Sequence, residues 1–118
     1  MRFATFMAIA LLALACSQDP SSLGSMNTTE ISVTDDFFTP AADTVTVGQN
    51  ITWQFGSLNT HTHNVTWDTG PVMPANSGDK NPAGTYVMFF SQTGTYTYHC
   101  TYHGTISGSG MAGSLVVQ

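Results

Sequence analysis

The sequence predicts an all-β protein, and three observations carry that prediction. Short runs alternate polar and apolar residues with a period of two. Turn residues separate those runs at short intervals. Charged residues make up only 8% of the chain, while Thr, Gly, Ser and aromatics are plentiful, a mix that suits strands and turns. No amphipathic helix, internal repeat or low-complexity tract stands out. At 118 residues the chain holds one domain of ordinary size.

The elements follow in order. Glu30-Ile31-Ser32-Val33-Thr34 alternates and reads as a first strand. Asp35 to Pro40 breaks the alternation. Phe37 and Phe38 are expected in the core, and Pro40 stops further ladder pairing. Thr44 to Val47 is a second strand, followed by a turn at Gly48-Gln49-Asn50. Ile51 to Phe55 alternates again and places Ile51, Trp53 and Phe55 on one face, the expected core face. A polar loop over Gly56 to Thr62 leads into a short strand, His63 to Trp67. Asp68 to Gly84 is rich in Pro, Gly, Asn and Ser, with room for a short helix. Thr85 to Phe90, Thr95 to Cys100 and Ser114 to Gln118 complete seven or eight strands. Strands of this length and spacing form an antiparallel sandwich or barrel.

The N-terminus stands apart from this pattern. Met1-Arg2 is positively charged, and Phe3 to Ala15 is apolar apart from Thr5, too short for a permanent membrane span. Residues 1–15 read as a signal peptide, and Leu12-Ala13-Leu14-Ala15-Cys16 resembles a bacterial lipoprotein signal. That resemblance implies cleavage before Cys16 and a lipid on its sulfur. Residues 16–29 then form a polar, flexible tether, and the folded domain occupies 30–118. The expected product is an exported lipoprotein held at a membrane, facing the periplasm or the cell surface.

Without the signal, Lys80 is the one base against seven acids, a net charge of −6 with His neutral. A surface with one lysine has almost nothing to neutralise phosphates, which argues against a nucleic-acid partner. A basic or locally apolar protein partner fits it. Lipidation of Cys16 leaves Cys100 without a disulfide partner in an oxidising compartment. A metal-bound thiolate or a buried inert thiol satisfies it there.

Tyr98-His99-Cys100-Thr101-Tyr102-His103, running on to Gly110-Met111-Ala112-Gly113, gathers the chemistry of the chain. Within a strand, Tyr96, Tyr98 and Cys100 share one face and Thr97 and His99 the other, so His99 points away from Cys100. His103 reaches the same ion as Cys100 if the chain turns after Cys100. His61 and His63 share parity, and either offers a further imidazole. Two His, one Cys and a weak axial Met make up the ligand set of a mononuclear blue-copper centre.

The pattern Tyr-x-Cys-x-x-His with Gly-Met-x-Gly and an upstream His-Asn-Val resembles the cupredoxins, most of all the small plastocyanin-like and pseudoazurin-like type, over about residues 28–118. The resemblance implies a Greek-key β-sandwich and one type 1 copper ion on His63, Cys100, His103 and Met111. It selects His63 over His61. It also implies that Asn64 hydrogen-bonds the loop at Thr101. Two departures are present: seven residues separate His103 from Met111, and Tyr102 stands where the family commonly has Pro.

The implied function is single-electron transfer between redox partner proteins in transient encounters. Gly104, Ile106 and Gly108 are candidates for the docking surface of a monomer. Storage or delivery of copper in the periplasm is the alternative, since it can use the same ligands. Enzymatic activity is not expected, because a copper oxidase or nitrite reductase needs further copper sites or a second domain. Met73 and Met88 fall outside any ligand loop and are expected in the core.

Overall fold

The computed structural model describes residues 29–118. The signal peptide, Cys16 and the tether up to residue 28 lie outside the described residues. Eight strands form two four-stranded sheets. They are β1 (Glu30–Thr34), β2 (Phe37–Thr39), β3 (Ala42–Val45), β4 (Asn50–Phe55), β5 (Thr66–Thr69), β6 (Gly84–Phe89), β7 (Gly94–Gly104) and β8 (Gly110–Val117). One sheet has the order β2-β1-β4-β6 and the other β3-β8-β7-β5. This is the all-β class expected from the alternation, in the sandwich form that the family resemblance implies.

Alternation places the core between the sheets. Ile31 and Val33, then Ile51, Trp53 and Phe55, are fully buried from the first sheet. Tyr96, Tyr98, Cys100, Met111, Leu115 and Val117 face them from the second. Edge-to-face contacts hold the centre, with Trp53 at 5.6 Å from both Trp67 and Tyr98. Gly113 makes room for this packing. A Cβ there would sit 2.4 Å from Cζ of Tyr98.

Several expectations are corrected. The pairing is not all antiparallel, since β1–β4 and β3–β8 run parallel. In each parallel pair the partners are far apart in sequence, a relation that local alternation does not encode. Phe37 and Phe38 lie on the short strand β2, whose period of two leaves Phe37 exposed and buries only Phe38. Pro40 does follow directly on its end. Met73 is half exposed, while Met88 packs against the core. No helix lies in 68–84 among the described residues.

The short strand expected at His63 begins only at Thr66. Upstream of it and along its outer edge, side chains and loop backbone replace a ladder partner. Val65 N donates to Ser77 Oγ at 2.7 Å, and Trp67 N donates to Asn76 Oδ1 at 3.0 Å. His63 exchanges two backbone hydrogen bonds with Lys80, at 3.1 and 2.8 Å. The irregular 68–84 stretch therefore fixes the backbone on which His63 sits.

Candidate metal centre

Cys100 lies deep in β7 and is fully buried. The strand does not end there, as the sequence suggested, but runs on to Gly104. What changes is its register against β8. His99 pairs with Ala112 and Gly104 pairs with Gly110, so the four residues Cys100 to His103 face the single residue Met111. This large bulge bends the strand and re-aims its side chains. Cys100 and His103 both turn inward, three residues apart, without a conventional loop between them. The bulge also places buried Met111 opposite them.

His63 arrives on the segment between β4 and β5, which passes from one sheet to the other. Its ring is fully buried, and its Nδ1 lies 3.9 Å from Cys100 Sγ. The Nδ1 of His103 lies 3.7 Å from the same sulfur. All three donor atoms fall within 4.8 Å of one another. A metal bonded to nitrogen at ~2.05 Å and to thiolate sulfur at ~2.3 Å in a trigonal plane separates the two by ~3.8 Å. The two separations in the structure, 3.7 and 3.9 Å, bracket that value. The donor set and these two spacings therefore suit a metal ion held between the sulfur and the two rings.

A carboxylate lies behind each imidazole, and the one behind His63 orients it. His63 Nε2 donates to Asp35 Oδ1 at 3.0 Å, which directs its Nδ1 lone pair at the thiol. Asp35 also accepts from the Thr60 amide, the Thr60 hydroxyl and the His61 amide. The Thr60 hydroxyl first, and His63 second, hold its carboxyl far below the usual carboxylate range. Asp36, in a left-handed conformation at φ 66°, lies 3.4 Å from His103 Nε2. His99 faces the other side of β7 and pairs with Asp68 at 2.7 Å.

Asn64 ties these segments together. Its Nδ2 donates to Thr101 Oγ1 at 2.8 Å and to Asp79 Oδ1 at 2.9 Å. Its Oδ1 accepts from the Thr101 amide at 3.0 Å and from the Thr66 hydroxyl at 3.2 Å. Tyr102 OH donates to Asp79 Oδ2 at 2.5 Å, closing the network over the bulge. That bond, with Asn64 as the lesser contributor, lowers the Asp79 pKa, and it raises that of Tyr102.

The sequence missed Asp35, Asp36 and Asp79, and left His61 as a loop residue. No local signal marks them. Asp35 is 28 residues from the ring it orients, and it registered only as one of seven acids. The stretch from His103 to Met111 forms a hairpin tip, with Thr105 N bonding Ser109 O at 3.0 Å. Ile106 on this tip is 73% exposed.

A family model described as copper binding proteins, plastocyanin/azurin family, matches residues 26–118. A purple cupredoxin from Nitrosopumilus maritimus is similar in fold. It is 21% identical, with a TM-score of 0.60 over 75% of this chain and 98% of that one. The reduced state of an amicyanin variant is 27% identical, with a TM-score of 0.57 over 75% of this chain and 80% of that one. A copper-containing nitrite reductase from Thermus scotoductus is 21% identical, with a TM-score of 0.61 over 75% of this chain but 22% of that one.

Proposed function

The chain belongs to the plastocyanin/azurin family of copper binding proteins, and from that premise we propose that it carries single electrons through one type 1 copper ion. His63, Cys100 and His103 would hold the ion in this reading, and Met111 would add a weaker thioether donor. The observation that carries it is the convergence of two imidazole nitrogens on one buried thiol, at the spacing a trigonal metal requires. Copper held there supplies a one-electron Cu(I)/Cu(II) couple.

The protein's part is to keep the donors still. Asp35 fixes the His63 ring, Asn64 fixes the bulge that carries Cys100, and the buried core supports the sulfur from below. Outer partners of this kind hold ligands in one orientation. Donors that do not move between oxidation states keep the reorganisation small, which is what an electron carrier needs. The 25% exposed His103 side chain is the way out for the electron. The surface around it, with Gly104, Ile106 and Gly108, suits brief encounters with redox partner proteins.

In this reading the protein is a monomer, is not an enzyme and has no nucleic-acid partner. It works outside the cytoplasm, anchored through lipidated Cys16. Mass spectrometry of the mature protein from its own host tests the anchor: an acylated Cys16 supports it, and an unmodified start further along the chain excludes it. Voltammetry of the copper-loaded protein tests the electron-transfer reading. A reversible one-electron wave is expected. Copper held as Cu(I) with no reversible wave would instead support storage or delivery in the periplasm.

A further inference from the structure

A second group of metal donors lies just outside the first. Asp36, His61 and His103 offer three ligand atoms that also fall within 4.8 Å of one another. Asp36 Oδ1 is 3.2 Å from His61 Nδ1 and 3.4 Å from His103 Nε2. The two rings stack obliquely, with centroids 5.2 Å apart. The Asp36 and His61 side chains are about half exposed, at 46% and 51%.

The first contact is at the upper end of ordinary hydrogen-bond length, ~3.2 Å, and the second lies beyond it. As edges of a coordination shell they fit. Nitrogen and oxygen ligands at ~2.05 and ~2.1 Å around a tetrahedral ion are ~3.4 Å apart. The neighbouring contacts of Asp35 show the contrast. That carboxylate is taken up by the Thr60 amide and hydroxyl, the His61 amide and His63. Asp36 instead stands between two imidazole nitrogens, with solvent on its open side.

We propose that Asp36, His61 and the outward nitrogen of His103 form an exterior divalent-cation site, suited to Zn²⁺, with water as its fourth ligand. Two imidazoles and one carboxylate with an open position are an ordinary zinc donor set. Coordination uses the lone pair of His61 Nδ1, so its ring proton sits on Nε2. His103 binds through Nε2, and when its Nδ1 also holds copper the Nε2 proton leaves to solvent. The site shares His103 with the copper centre but does not require copper to be bound. Zn²⁺ in place of the Nε2 proton leaves one more positive charge beside the inner centre, which favours its reduced form and raises its reduction potential.

Zinc titration calorimetry on two proteins tests this: the copper-loaded wild type, and metal-free Cys100→Ser, in which the inner donor set is broken. One Zn²⁺ per chain is expected in each. His61→Ala and Asp36→Asn, introduced into each, should weaken it roughly tenfold or more, since loss of even an outer partner costs ~10- to 100-fold. Zinc should raise the potential of the copper-loaded wild type and leave that of His61→Ala unmoved. Absence of zinc uptake in both proteins, or an affinity unchanged by both substitutions, would overturn the site. A failure of the copper reading is seen separately, as a wild type that takes up no copper, and the Cys100→Ser titration then still decides the exterior site.

Discussion

Replacing Asn64 by Ala removes the side chain that joins three segments around Cys100. Four hydrogen bonds are lost: two donated to Thr101 and Asp79, and two accepted from the Thr101 amide and the Thr66 hydroxyl. Each is worth ~1 kcal/mol net. Thr101 and Asp79 lie at an exposed surface, so water recovers part of that. The expected loss is therefore about 2 kcal/mol, with ~4 as the ceiling. For a domain of this size, 2 kcal/mol lowers Tm by roughly 8 to 16 °C. Thermal unfolding of the metal-free protein, followed by circular dichroism, measures this without any contribution from copper. Asn64→Asp keeps the acceptor but sets a second carboxylate against Asp79, so at neutral pH it should cost at least as much and recover on acidification. A Tm within ~3 °C of wild type for Asn64→Ala would refute the claim that Asn64 pins the bulge.

Further expectations concern the same bulge. A Cβ at Gly104 would fall 2.2 Å from the Met111 carbonyl oxygen and 2.7 Å from its carbon. Backbone cannot swing aside, so Gly104→Ala should cost ~1 to 3 kcal/mol in denaturant unfolding; unchanged stability would mean that β7 and β8 are not this close. Tyr102→Phe should alter both pH limbs of stability. The Asp79 pKa is lowered chiefly by Tyr102, so that contribution is intact above the ordinary carboxylate value of ~3.9 and is lost as pH falls below it. The Tyr102 pKa is raised, so its contribution holds below ~10 and fades above. The variant's Tm against pH should be flatter on both sides, and an identical profile would show that the pair contributes nothing. Met111→Gln should retain copper and lower the reduction potential, because an oxygen donor favours Cu(II). An unchanged potential would remove Met111 from the axial position.

The all-β class was legible because its inward residues are large and regularly spaced, while the choice of sandwich over barrel came from the family resemblance. Ile51, Trp53 and Phe55 alternate cleanly, and so do Tyr96, Tyr98 and Cys100. Alternation fails where something other than a strand neighbour satisfies the backbone. Around His63 that neighbour is Lys80 and, just downstream, the side chains of Asn76 and Ser77. Alternation also could not predict that β7 would stay extended past Cys100, since a bulge is a property of the pair and Met111 lies on the partner strand. The link from Asn64 to Thr101, expected from the family resemblance, appears at 2.8 Å. The carboxylates behind the two imidazoles were not legible, because a turn between β1 and β2 delivers them from far along the chain. Seven scattered acids carry no mark of which two will meet a histidine.

The central claim is a copper ion held by the Cys100 thiolate between His63 and His103. Visible absorption of the copper-loaded protein, compared with that of Cys100→Ser, tests it most directly. The account predicts one copper per chain and an intense thiolate-to-copper band in the wild type, with the band abolished and copper binding weakened in Cys100→Ser. A band that survives in Cys100→Ser, or a wild type that binds copper without one, would contradict it.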